Sequence, residues 1–179
     1  MSPAPHACER YKIKLVLMCL GCSSTRLSEI LATTPRTIKR LKKIMVGILL
    51  ITHGSLGTSL IDCARHVLGN NPERLAAMGI DACSTIEDLI DIANQKTQEL
   101  NNGSGVLILT DMFGGSPSNI TQALVQHNDV QGVSGVNLPM LVRAITYRHE
   151  NLETVVKKAL SGGGEGVLKL EESQETRVC

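Results

Sequence analysis

ILLITHGSLG, residues 48–57, sets the reading of the whole chain. An apolar run that begins at Met45 as MVGILLI stops at Thr52 and His53, then passes through Gly54 and Gly57. A short apolar run bounded by polar and glycine residues reads as a strand buried on both faces, the kind found in parallel sheets. Over 56–68, Leu56, Leu60, Cys63, Ala64, Val67 and Leu68 recur at helical spacing, and Gly69 closes that helix. The unit is strand, histidine, glycine turn, helix.

Working outward, the pattern repeats. A strand is expected over 74–80, and Ser84-Thr-Ile-Glu87 reads as a capping box opening a helix with Ile86, Leu89, Ile90, Ala93 and Leu100 on one face. VLILT (106–110) is the most apolar strand of the set and ends at Asp111, before a glycine-rich loop and a helix with Ser116 as N-cap and Pro117 as first residue. A fourth strand, 131–136, ends at Asn137; helices over 139–147 and 151–161, the run Gly162-Gly-Gly164 and a short strand GVLKL (166–170) follow. This alternation predicts an α/β fold with a doubly wound, mostly parallel sheet and helices on both faces. Ligands bind such sheets at the carboxyl ends of the strands, where Thr52, His53, Gly54, Asp111 and Asn137 all fall.

The chain of 179 residues is 42% hydrophobic, enough for one sizeable core. It has no Trp, one Phe and two Tyr, and a net charge of +1, which exclude stacking platforms and a general attraction to phosphate backbones, so no nucleic acid partner is expected. The charge is unevenly placed: residues 1–44 hold nine Lys and Arg against two acids, and residues 45–179 hold nine against fifteen. The apolar centre of KIKLVLMCLGCSS (12–24) is far shorter than the ~20 residues that span a bilayer. Residues 45 onward read as complete, so Met45 is expected to be the initiator and residues 1–44 a basic extension outside the native fold. Residues 171–179 read as a polar tail. Six irregularly spaced cysteines suit a reducing compartment; Cys19 and Cys22 lack a second pair at zinc spacing, and Cys63 and Cys83 read as buried small hydrophobes.

A histidine at a strand end can ligate metal, act as base, or act as nucleophile. Metal would need further ligands, and His66, His127 and His149 fall on helices or helix ends, so no metal or other cofactor is expected. A nucleophilic imidazole needs one free ring nitrogen, a partner fixing the tautomer through the other, and donors for incoming charge. Asp111 can be that partner. The loop FGGSPSN (113–119) offers backbone N–H groups, the Ser116 hydroxyl and a helix N-terminus, a set suited to a phosphoryl group, and Gly114 and Gly115 allow close approach. Each feature alone has a plainer reading: glycines for packing, Ser116 as cap, Asp111 as loop cap.

Taken in order and spacing, ILLITHGSLGTSLI (48–61), ILTDMFGGSPSN (108–119) and GVNLPMLV (135–142) resemble the enzyme IIA domain of the mannose family of the bacterial phosphoenolpyruvate-dependent sugar phosphotransferase system. The resemblance covers about 45–170. It implies a phosphotransferase in which His53 accepts a phosphoryl group from the carrier protein HPr and passes it to an enzyme IIB. It implies Asp111 as the histidine's partner, Ser116 near the phosphate, and Thr52, Gly54, Gly114, Gly115 and Asn137 lining the site. It also implies a homodimer exchanging the last strand, here GVLKL, and a cytoplasmic protein that meets membrane only through a permease complex.

Many members continue into an enzyme IIB domain, whereas this sequence ends nine residues after GVLKL, which reads as a lone IIA protein. Such a protein serves sugar uptake or, as the alternative, a truncated regulatory phosphorelay that signals through phosphorylation-dependent binding. The phosphotransfer subunit of dihydroxyacetone kinase fits less well because Gly54 follows the histidine. A response-regulator receiver would need acids where Thr52 and His53 stand, and a Ser-His-Asp hydrolase would need a strained G-x-S-x-G elbow at Ser116.

Overall fold

The computed structural model describes residues 44–80, 85–126 and 129–170. The basic extension with Cys19 and Cys22, residues 81–84 with Cys83, His127 and the tail 171–179 lie outside the described residues. In chain order the elements are β1 (Gly47–His53), α1 (Leu56–Leu68), β2 (Leu75–Ile80), α2 (Ile86–Leu100), β3 (Val106–Thr110), α3 (Ser116–Leu124), β4 (Val130–Ser134), α4 (Leu138–Tyr147) and α5 (Leu152–Glu165). The four strands form one parallel sheet in the order β2-β1-β3-β4. The doubly wound α/β architecture expected from the strand and helix alternation is present.

Alternation along β1 and β3 divides the core. Ile48, Leu50, Leu107 and Leu109 face α1, α4 and α5, packing with Ile61, Ala64, Leu141 and Ala144. Leu49, Ile51, Val106 and Ile108 face α2 and α3, packing with Leu89, Ala93 and Ile120. Both strands are buried on both sides, which is why they read as continuous apolar runs rather than alternating ones. Because the chain leaves β1 for β2 on one side and returns to β3 on the other, the strand order reverses between β1 and β3. That crevice is the topological switch point, where the ends of β1 and β3 deliver His53 and Asp111.

Several local expectations are corrected. Thr85, not Ser84, caps α2, its hydroxyl accepting from Asp88 N–H. Ile86 is exposed, and Thr97 takes a core position because its hydroxyl donates to Ala93 O. Cys63 is exposed on the outer face of α1, where Ile61 and Ala64 carry the burial instead. Gly115 caps α3, so Ser116 is its first residue and Pro117 its second.

The largest difference lies at the C-terminus. The helix expected to stop at 161 runs on to Glu165, and within the chain GVLKL forms no strand: Val167, Leu168 and Leu170 are exposed. Packing explains the helix. A Cβ on Gly162 would lie 2.8 Å from Arg143 Cβ, and one on Gly163 2.6 Å from Met140 Cε. Close contact between α4 and α5 needs these hydrogens, and it outweighs the poor helix propensity of glycine, about 1 kcal/mol per residue relative to alanine.

Candidate active site

His53 is the last residue of β1, and its backbone partner across the ladder is Ile80. Odd-numbered β1 residues face α2 and α3, so the imidazole emerges beside the start of α3 while Thr52 turns to the α1 side. Asp111 follows β3 directly. One carboxylate oxygen, Oδ2, accepts from the His53 backbone N–H at 2.8 Å and lies 2.8 Å from His53 Nδ1; the other, Oδ1, accepts from Met112 N–H at 2.8 Å. The aspartate is thus fixed at both oxygens, and it grips the histidine by backbone and ring together.

Partial burial pulls the Asp111 carboxyl up, but the His53 backbone N–H, the His53 ring and the Met112 N–H together outweigh it and hold the group below its ordinary carboxylate range. An ionised carboxylate only accepts, so the proton between the two groups belongs to Nδ1. In the neutral ring the lone pair then sits on Nε2. The two partners differ in exposure, 13% for the Asp111 side chain and 49% for that of His53, so the carboxylate is sheltered while the imidazole reaches solvent.

Space beside Nε2 is kept by Gly115. A Cβ there would sit 3.0 Å from His53 Cε1 and 3.5 Å from Nε2, so any side chain would press on the reactive edge. Gly54 and Gly114 occupy the left-handed region, at φ 52° and 81°, which lets the chain turn away from β1 and again ahead of α3. α3 begins at Ser116, whose exposed hydroxyl makes no capping bond. The first-turn N–H groups of Ser116 and Ser118 have no intrahelical partner, and Pro117 contributes none. An electropositive helix end therefore opens next to the imidazole.

The other two residues expected at the site are placed differently. Thr52 is fully buried, and its hydroxyl accepts from Gly57 N–H at 2.8 Å, tying the first turn of α1 to the end of β1. Asn137 caps α4 by accepting from Met140 N–H at 2.9 Å and donates to Gly163 O at 3.1 Å, bridging α4 to α5. Both are committed to the framework. Thr52 lies near the end of β1 as expected, whereas Asn137, expected to end β4, stands three residues beyond that strand's end at Ser134; strand parity directs the Thr52 hydroxyl inward and helix capping the Asn137 amide.

Two further glycines, Gly79 and Gly57, support the turn. A Cβ on Gly79 would lie 2.3 Å from Gly54 O, and one on Gly57 3.0 Å from Thr52 Oγ1. A glycine inside the β2 pattern was the available signal, since it marks close backbone approach. Among the described residues no group of three or more His, Cys, Asp or Glu could hold a metal ion, and no helix is long and apolar enough to cross a membrane.

Comparison with known proteins bears on the family and the fold. The sequence model of a family described as "PTS system fructose IIA component" matches residues 47–160. The mannose-specific EIIAB component of Escherichia coli strain K12 is 32% identical over 131 residues, 70% of this chain and 40% of that protein. This chain therefore spans well under half the length of that relative. The fructose-specific EIIA component of Bacillus subtilis strain 168 is 26% identical over 136 residues, covering 75% of this chain and 87% of the relative. Among solved structures, the phosphotransferase system component EIIA from Streptococcus agalactiae superposes with a TM-score of 0.63 at 25% identity, over 70% of this chain and 97% of that one.

Proposed function

The chain belongs to the IIA family of the phosphotransferase system, matched over residues 47–160, and from that premise we propose that it is a phosphocarrier in which His53 accepts a phosphoryl group from phospho-HPr and passes it to an enzyme IIB. The observation that carries this reading is the 2.8 Å contact between His53 Nδ1 and an Asp111 carboxylate held ionised. It leaves Nε2 as the nucleophile, exposed to a second protein.

In this reading the Nε2 lone pair attacks phosphorus in line. The P–N bond to the donor histidine breaks and its electron pair returns to the donor ring. His53 keeps the Nδ1 proton and becomes a cationic phosphorylated imidazole, whose charge Asp111 balances. The N–H groups at the start of α3 and the Ser116 hydroxyl hold the phosphoryl oxygens, and Gly115 leaves room for them. Thr52 and Asn137 act at one remove, by fixing the turns that carry the site. Transfer to enzyme IIB reverses these steps, so positioning and charge compensation supply the catalysis and no cofactor takes part.

The same reading takes residues 45–170 as the IIA domain of a cytoplasmic homodimer serving sugar uptake. Two features support a dimer: among the described residues β4 pairs only with β3, and the exposed apolar segment Val167, Leu168, Leu170 has no ladder partner. An unpaired edge and an unpaired apolar segment are each costly alone. The onward step is tested by labelling His53 with phosphate and adding candidate enzyme IIB proteins; label should leave for one of them within seconds. Label retained with every candidate would remove the carrier role and leave a regulatory phosphoprotein.

A further inference from the structure

Behind the turn that carries Asp111, on the α3 side of the sheet, a cavity of about 120 Å³ opens between α3 and the paired ends of β3 and β4. Thr110 and Ser134 lie directly across from each other in that ladder, and both line the cavity. Thr110 is 1% exposed. The hydroxyl oxygens of both residues are buried, and neither has a hydrogen-bond partner among the described residues.

Two neighbouring orphaned hydroxyls are hard to explain as packing. On a helix such a group donates to the carbonyl four residues back, as Thr121 does to Pro117 O in the same cavity wall. On the paired strands one nearby carbonyl is already taken: Thr110 O accepts from both Gly135 and Val136 N–H. A buried hydroxyl left without a partner is costly, whereas valine at 110 and alanine at 134 would have filled similar space at no such cost. The rest of the lining combines apolar surface from Phe113 and Val125 with polar groups from Ser118 and Gln122, and includes no charged residue.

We infer that this cavity is a binding site for a small uncharged polyol of three or four carbons. Its hydroxyls satisfy Thr110 and Ser134, and its carbon face lies against Phe113 and Val125. The volume is a little below that of the roughly 150 Å³ cavity known to hold benzene, a molecule of six heavy atoms as glycerol is, whereas a hexose has twice as many. An uncharged lining would leave an ionic ligand desolvated and unpaired, which excludes phosphorylated compounds. This assignment is independent of chemistry at His53.

The test is an NMR titration of the full-length ¹⁵N-labelled protein with glycerol and with erythritol. Saturable shifts of the Thr110, Gln122 and Ser134 amides at millimolar polyol are expected, with the N-terminal residues of α5 unmoved. In Thr110→Val/Ser134→Ala the saturable response should weaken at least tenfold while the unfolding midpoint stays at or above that of the wild type; Thr110→Val alone serves if the double variant does not fold. Shifts linear in polyol concentration and spread over the surface would overturn the assignment, leaving a cavity filled by water alone. The same saturation persisting in the variants would also overturn it.

Discussion

Replacing Asp111 by Asn removes one charge while keeping the size and shape of the group that holds His53. In the wild type the ionised carboxylate accepts from the His53 backbone N–H, from Met112 N–H and, at 2.8 Å, from Nδ1. Phosphorylation places a positive charge on the ring, and the carboxylate stabilises that charge more than an amide oxygen can. A charge-assisted hydrogen bond is worth about twice a neutral one, a difference of about 1–2 kcal/mol at a sheltered site. That corresponds to roughly 5- to 30-fold in the rate of phosphoryl transfer. If the new amide turns its NH₂ toward Nδ1, the proton moves to Nε2, the lone pair is lost from the attacking nitrogen, and the decrease is larger still. Rapid-quench measurement of transfer from labelled phospho-HPr, with circular dichroism to confirm folding, checks this. A folded Asp111→Asn protein reacting within twofold of the wild type would show that the carboxylate charge does not act on the His53 ring.

Gly115→Ala should fold, since its backbone is ordinary for any residue, yet slow phosphorylation at least tenfold by pressing on the His53 ring; Gly114→Ala, at φ 81° in open space, should instead cost about 1–2 kcal/mol of stability and leave the ring untouched. Steady-state labelling and chemical denaturation separate the two. Thr52→Val leaves the Gly57 N–H without its acceptor and should lower stability by about 1–2 kcal/mol in urea unfolding, with the slope of the transition unchanged. The depressed carboxyl of Asp111 makes a pH prediction with a definite sign: its stabilisation is fully present above the ordinary carboxylate range and disappears as pH falls through the lower folded-state value. The stability gap between wild type and Asp111→Asn should therefore be flat from neutral pH down to about 5 and shrink at lower pH; a gap that widens on acidification would contradict it.

Much of this arrangement is legible in the sequence because one physical cause dominates at each legible position. β1 and β3 are buried on both sides, so their apolar runs are unmistakable, and Thr52-His53 and Asp111 mark where burial ends. Strand parity carries more: two residues in succession on one strand face opposite ways, which sends Thr52 into the α1 side as His53 turns outward. Asn137 carried no such parity signal. Its cap on Met140 N–H is local, but its second bond, to Gly163 O 26 residues later, is a tertiary contact that local patterning does not encode. The same α4 and α5 contact explains the misread C-terminus, because Gly162-Gly-Gly164 signals a break by propensity and is overruled by close packing against Arg143 and Met140. The orphaned pair of Thr110 and Ser134 was equally invisible, since strand register brings them together across 24 residues.

His53 is the residue expected to carry phosphate. Incubating the protein with phosphoenolpyruvate, enzyme I and HPr, then mapping acid-labile, base-stable phosphate by peptide mass spectrometry, measures it directly. One phosphoryl group on His53, absent from His53→Ala, is the expected result. No phosphate on His53, or undiminished labelling of His53→Ala, would contradict the claim.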